Sequence, residues 1–299
     1  MAPDDLLLRT QQVAQALGVS ASTVKRWVDR GILSATRTAG KHRLIPRSEA
    51  VRLAQRLKLP LAGREVLVGT DATVVQGIDD RVRNGLTKAL QAGDAPRATG
   101  LIRGVVASGL GAVALADQLI SPVMERIGDG WEVGELDVFQ EHQASHIVTA
   151  ALTGLIDGAA RRRNPQAPLA VGATPEGDYY QIALLLGELV LRELGWDVRN
   201  LSVNLPMRSL IQAVRGCRSR LVYLSVNHLV DEDRFAREYH VFGQAAASRG
   251  TAVVLGGRAL GPGLRDRLGH ARFGERMADL SEFARQLGPV ATLAGATPS

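Results

Sequence analysis

A chain of 299 residues is too long for one ordinary compact core, so two or three domains are expected. Hydrophobic residues make up 45% and aromatics 4%, which suits helical packing rich in Ala, Leu and Val, and the single cysteine, Cys217, excludes an intramolecular disulfide and fits a reducing compartment. The net charge of +6 resides at one end: residues 1–60 hold +7 and the rest of the chain −1, which points to a local polyanion site.

No apolar stretch reaches the roughly 18–20 residues needed to span a bilayer. The start, MAPDDLLLRT, lacks the basic-then-apolar order of a secretory signal. A soluble, cytoplasmic protein with no membrane partner is expected.

In the first segment, residues 1–57, Val13, Ala14 and Leu17 recur at helical spacing within Thr10–Leu17. Gly18 supplies a turn, and Ser20 is placed to cap a second helix running to about Asp29. Val24, Trp27 and Val28 form the apolar stripe of that helix, with Trp27 expected in the core. Ser22, Thr23, Lys25 and Arg26 fall largely on its other faces, free to meet a groove. Arg37-Thr-Ala-Gly40-Lys41-His42-Arg43 then reads as a basic hairpin with a glycine tip, suited to gripping phosphates. Helix, turn, Trp-bearing helix and basic wing occur here in the order of the MerR/excisionase type of winged head, which residues 7–57 resemble. Ser22, Thr23, Lys25, Arg26, Arg37, Lys41, His42 and Arg43 are the candidate DNA contacts, and the second helix is expected in the major groove.

Residues 58–79 lack sustained helical periodicity and read as a linker. From 80 to 163 the pattern is helical, with breaks at Gly93-Asp94, Gly109–Gly111 and Gly128–Gly134. Helices are expected at about 80–92, 95–108, 112–130 and 135–161, and such short breaks favour an antiparallel four-helix bundle. At the third break Trp131, nine further residues and Glu141-His142 resemble the helical cap of CarH/LitR-type, cobalamin-dependent, light-responsive repressors. The resemblance implies that Trp131 shields the upper ligand of the cobalt and that Glu141 and His142 lie over the same face. His142 is also the candidate ligand for a cobalt or iron ion, and with His146 it has the i, i+4 spacing of two metal ligands.

From 164 to 299 the texture changes. Apolar runs at Leu169–Ala173, Val198–Val203, Leu221–Val226 and Thr251–Leu255 alternate with helical patterns at Tyr180–Leu194, Met207–Arg215 and Asp233–Arg249. A short strand near Ala271–Phe273 and a helix through Gln286 complete a Rossmann-like, flavodoxin-type parallel sheet. Ligands bind such sheets at the carboxyl edge of the strands. The loops expected there are Thr174–Tyr179, Asn204–Pro206, Ser225–Val230 and the glycine-rich Gly256–Gly263.

This segment resembles cobalamin-binding domains, whose motif runs Asp/Glu-x-His-x-x-Gly, a spacer, Ser-x-(Thr/Val/Leu), a shorter spacer and Gly-Gly. Here Asp178-Tyr-Tyr180-Gln-Ile-Ala183 is followed by 41 residues, then Ser225-Val-Asn227, then 28 residues and Gly256-Gly257. The resemblance implies a cofactor site of Asp178, Tyr180, Ser225, Asn227, Gly256 and Gly257, joined by Trp131, Glu141 and His142. The side chain that ligates cobalt from below is a histidine in the family and Tyr180 here, and the family's glycine is Ala183. Imidazole is a good transition-metal donor, whereas a phenol, protonated at neutral pH, is a poor one.

Three readings of the pocket stand at this level. Cobalamin, as adenosylcobalamin, binds with its own base attached or through a different ligand; or the domain holds no ligand and serves assembly or protein contacts; or it takes another tetrapyrrole, a haem or bilin, with His142 or Tyr180 as ligand. The expected function is a regulator of double-stranded promoter DNA, acting as a homo-oligomer (dimer or tetramer) under a cobalamin-type, light-responsive module. The alternative is a cobalamin-independent regulator controlled by a regulatory protein partner or another chromophore. No barrel-sized catalytic partner domain and no Ser-His-Asp or Cys-His constellation is visible, so an enzyme is not expected.

Overall fold

A computed structural model describes residues 7–17, 19–37, 43–46, 49–50, 53, 78–159, 166–269 and 271–288. Contacts divide the chain into two compact units, Met1–Gln76 and Gly77–Ser299.

In the first unit, α1 (Thr10–Ala16) and α2 (Ala21–Asp29) form at the expected positions. The Ser20 hydroxyl accepts from the Thr23 amide at 3.2 Å, satisfying one of the amides a helix start leaves orphaned. A strand precedes α1 that periodicity did not show. β1 (Leu7–Arg9) pairs antiparallel with β3 (Arg43–Pro46), which pairs with β2 (Thr36–Arg37), in the order β1-β3-β2. The hairpin is thus widened into a three-stranded sheet, and Leu8 joins Val13, Leu17, Val24, Leu33 and Ile45 in one core. Trp27 lies half-buried against that core. Gly18 and the wing tip at 38–42 lie outside the described residues, as does all of the linker segment except 78 and 79.

The second unit opens with a helical bundle. The helices α3 (Asp80–Gln91) and α4 (Ala95–Ala107) are capped by Asp79 and Asp94, whose carboxylates accept from Val82 and Arg97 amides at 3.0 and 3.1 Å. The third helix, α5, runs from Ala112–Ala114 through a π-helical stretch, Leu115–Ile120, into Ser121–Glu132. It ends at Glu132, two residues past the expected end at about 130. The turn falls at Gly134, within the expected break, where φ of +76° suits glycine, and α6 (Val138–Ala159) follows.

The sheet domain has five parallel strands: β4 (Leu169–Ala173), β5 (Asp197–Asn200), β6 (Ser219–Ser225), β7 (Ala252–Gly256) and β8 (Arg272–Gly274). Their order is β5-β4-β6-β7-β8, the doubly wound pattern whose switch point lies between β4 and β6. Between them run α7 (Ile182–Glu193), α8 (Met207–Gly216), α9 (Glu232–Ala247) and α10 (Pro262–Leu268), and α11 (Met277–Leu287) ends the fold. Two expectations are corrected. β5 stops at Asn200, three residues early, because Ser202 and Asn204 take φ of +69° and +58°. The glycine-rich Gly256–Gly263 stretch is loop only as far as Gly261, since Pro262 starts α10, where its fixed φ suits a first helical position.

The helix α7 buries every residue from Leu184 to Leu191, because the sheet covers one side and α6 of the bundle packs on another. The lone acid in that run, Glu188, is satisfied on both oxygens: Arg192 Nε and Asn200 Nδ2 each donate to it at 2.8 Å.

Bundle and sheet domain also cap each other's helices. From the π-helical turn of α5, Asp117 accepts the Met277 and Ala278 amides at the start of α11, both at 2.9 Å. In return Glu193, at the end of α7, accepts the Ala112 amide at the start of α5. Each carboxylate meets the positive end of a helix dipole. Replacing Asp117 by Ala leaves two amides of α11 without a partner and is expected to lower the body's unfolding free energy by about 1–2 kcal/mol. A urea titration checks this, and an unchanged midpoint would show that the capping contributes nothing.

Candidate functional site

The carboxyl edge at the switch point is organised by one side chain. Asp178, in the loop after β4, is completely buried. Its Oδ1 accepts the Tyr180 amide at 3.0 Å, and its Oδ2 accepts the Asn227 amide at 2.6 Å and the His228 amide at 3.3 Å. The loops after β4 and β6 are thereby clamped together. The Asp178 carbonyl accepts from the Thr174 hydroxyl at 2.6 Å and from the Asn204 amide at 3.0 Å, which draws in the loop after β5. Asn204 in turn accepts the Gly177 amide at 2.8 Å, and its left-handed backbone is one that Asn tolerates better than most residues.

The remaining candidates cluster on this clamp. Ser225 Oγ accepts from Asn227 Nδ2 at 2.8 Å. Gly257 has φ +121°, and a Cβ there would stand 2.2 Å from the Val226 carbonyl oxygen, so glycine is required by loop against loop. Gly256 ends β7, and a Cβ on it would lie 3.1 Å from the Gly274 carbonyl. Tyr180 is 48% exposed, with the Arg258 guanidinium 4.6 Å above its ring centroid. Asp178, Tyr180, Ser225, Asn227, Gly256 and Gly257 are therefore gathered at one edge.

Trp131, Glu141 and His142 sit at the turn from α5 to α6. Glu141 accepts from the Ser145 hydroxyl at 2.9 Å and stands 3.6 Å from His142 Nε2. Trp131 is exposed, as are Val133, Val138 and Phe139 around it, giving this turn an apolar lip. Among the described residues no hydrogen bond or ion pair joins this trio to the sheet edge, and no three His, Cys, Asp or Glu side chains gather as a metal site. His142 and His146 share a helix and are both exposed.

Sequence reasoning did not single out Arg258, His228 or Tyr223. Arg258 and His228 carry no signal beyond their loops. Tyr223 had one: it is the aromatic in an otherwise aliphatic strand. Its register partner on β4 is Gly172, and a Cβ on Gly172 would fall 2.1 Å from Tyr223 Cζ. A Cβ on Gly187 of α7 would lie 2.8 Å from Tyr223 Cε2. The ring fills a slot between sheet and helix, and its hydroxyl donates to the Leu184 carbonyl at 3.3 Å. Burial first, and then Glu188, push that phenol well above the ordinary tyrosine range, so it stays a donor through neutral pH.

These donors can be compared with what a corrin needs. A protein that ligates cobalt from this edge must present an imidazole or similar donor beneath it. The side chain in that place is a phenol capped by a guanidinium, and Asp178 is occupied by backbone amides. The residues do not fit a corrin ligated from below by Tyr180.

In the head, the exposed residues of α2 include Ser22, Lys25 and Arg26, with Thr23 half-buried and Val24 wholly buried beneath them. Arg43 reaches from β3 to Asp29 at 2.6 Å, so it ties the wing strand to α2. Arg37 closes β2, and Lys41 and His42 lie outside the described residues.

Two family models match: a helix-turn-helix domain over residues 7–57, in the head, and a B12 binding domain over residues 82–156, in the helical bundle. The chain thus carries a helix-turn-helix domain followed by a B12-binding-type domain. It is homologous to the HTH-type transcriptional repressor CarH of Myxococcus xanthus, 28% identical over 270 residues, which span 84% of this chain and 89% of that one. The repressor CarA of the same organism is 25% identical over 239 residues, 77% of this chain and 80% of that one. The fold is also that of the Methanosarcina barkeri monomethylamine corrinoid protein, with a TM-score of 0.59 at 17% identity, covering 69% of this chain and 98% of that structure. No helix among the described residues is long and apolar enough to cross a membrane.

Removing Asp178 opens three loops at once. Asp178→Ala is expected to cost about 2–3 kcal/mol of unfolding free energy, and Asp178→Asn, which keeps one acceptor oxygen, less. Equal urea midpoints for wild type and Asp178→Ala would show that the clamp is not needed.

Proposed function

We propose that this chain is a sequence-specific DNA-binding transcription repressor whose body is a cobalamin-type sensor. In this reading α2 enters the major groove of double-stranded promoter DNA. Ser22, Thr23, Lys25 and Arg26 face the duplex, while Arg37, Lys41 and His42 of the wing approach its backbone. Arg43, held by Asp29, positions the wing and adds charge. The observation that carries the reading is the division of α2: Val24 is wholly buried, while Ser22, Lys25 and Arg26 on the same helix stand exposed in a basic segment. The repressor names of both relatives support regulation rather than catalysis.

One small head makes few contacts, and phosphate-driven affinity falls steeply with salt. Operator binding therefore requires paired heads on a dimer or tetramer in the cytoplasm. The body controls that pairing: with ligand in darkness the chains assemble and cover a promoter, and photolysis releases them. Trp131, Glu141 and His142 form the upper face of the sensor, and Asp178, Ser225, Asn227, Gly256 and Gly257 its lower edge.

A second reading is favoured by Tyr180 beneath Arg258, which offers no imidazole. The same architecture then works without cobalamin, under a protein partner or another chromophore.

The test is fluorescence anisotropy with a duplex from the promoter of the chain's own gene beside a scrambled duplex. Lys25→Ala and Arg26→Ala are each expected to weaken specific binding by about 1–3 kcal/mol and to lower the salt slope by about 1 where the contact is to phosphate. Wild type that does not distinguish the duplexes, or variants that bind like wild type, would remove the assignment of α2 as reader.

A further inference from the structure

Cobalamin carries its own aromatic base on a nucleotide tail, bonded to the cobalt from below. A protein that takes over that position must supply a donor and accommodate the displaced base. We infer that this domain takes cobalamin with its own base still on the cobalt, because position 180 supplies no imidazole and the slot between sheet and α7 is already filled. The inference rests on the sensor reading above.

The donor is missing at Tyr180. The side chain there is a phenol lying under the Arg258 guanidinium, 4.6 Å from the ring centroid, and a phenol is a poor transition-metal donor beside an imidazole. Asp178 already accepts three backbone amides, two on Oδ2 and one on Oδ1, so it serves the loops first. An imidazole does stand at this edge: His228, exposed, in the loop after β6. Its ligation would still leave the displaced base without a slot.

The slot is closed by Tyr223. Two glycines, Gly172 on β4 and Gly187 on α7, make room between the sheet and its covering helices for one flat ring. The hydroxyl of the ring that fills it reaches the Leu184 carbonyl in the first turn of α7, the helix that starts at the carboxyl edge. Tyr223 is 5% exposed and stands far closer to both virtual Cβ positions than ordinary contact, so no second aromatic ring enters beside it. Admitting a base would mean expelling a buried tyrosine whose hydroxyl is bonded to the backbone.

The experiment uses the full chain, mixed in darkness with cobalamin and desalted, with the retained cobalt then reduced to the cobalt(II) state. Electron paramagnetic resonance reads the nitrogen bonded on the lower side. With nitrogen-15 placed in the base of cobalamin, the splitting pattern is expected to change, because the bonded nitrogen is the base's own. Cobinamide, which lacks the base, is expected to bind without nitrogen splitting. Paired replacement, Tyr180→His with Tyr223→Gly, is expected to reverse the result, with splitting that no longer responds to the label. Circular dichroism confirms that the pair folds.

A wild-type pattern indifferent to the label, or nitrogen splitting from bound cobinamide, would overturn the inference while leaving the sensor reading intact. If His228→Ala then abolished that splitting, the ligand would be His228. A folded paired variant that keeps the base on cobalt would overturn the role given to Tyr223. Wild type that retains no corrinoid defeats the sensor reading itself and this inference with it.

Discussion

The buried carboxylate of Asp178 is the constraint on which the ligand edge depends. A doubly wound sheet delivers its loops to one side, but parallel strands alone do not fix where those loops go. Three backbone amides from two loops converge on Asp178, and its own carbonyl takes two further donors. An acid taken wholly out of water is tolerable only when its lone pairs are met, so the loops have few other arrangements. Asn227 owes its place to this clamp, whereas Ser225 ends β6 and Gly257 packs on the Val226 backbone. Tyr180 is held by it as well, yet its ring turns outward to Arg258.

A second constraint joins bundle to sheet. Asp117 of the bundle caps the start of α11 and Glu193 of the sheet domain caps the start of α5, so each part completes the other's unpaired amides. The π-helical turn that carries Asp117 is an irregularity of a kind that often marks a place with a task. Here the task is visible: it sets a carboxylate against α11. Because α7 is enclosed by both the sheet and α6, a change at the sheet edge has a packed route into the bundle. The apolar lip around Trp131 stands at the far end of α5 from the Ala112 cap, on the same continuous helix.

Much of this was legible in advance where signals are local. Ser20 announces a helix start through its own side chain, and the alternation of apolar runs with helical patterns marked which segments of the last domain are strands and which helices. The spacing of Asp178, Ser225 and Gly256-Gly257 placed the edge, since parallel strands of similar length bring the residues after them to one side. What stayed hidden depended on partners distant in sequence. The strand β1 is three residues long, too short for periodicity, and exists because β3 lies beside it. The segment of α7 read as a helical pattern, but its nearly unbroken apolar run, Ile182-Ala-Leu-Leu-Leu-Gly-Glu-Leu-Val-Leu, answers to two partners.

Sequence by itself determined the element types and the positions of the loops, because turn chemistry, caps and hydrophobic period act over a few residues. It also determined that no imidazole occupies position 180. Only tertiary structure decided what fills the resulting space. Gly172 and Tyr223 are 51 positions apart and neither is unusual alone. The parallel register that sets them side by side makes one a socket and the other its plug. Such a fit belongs to the pair, since close packing lets a ring enter only where neighbouring backbones have left room.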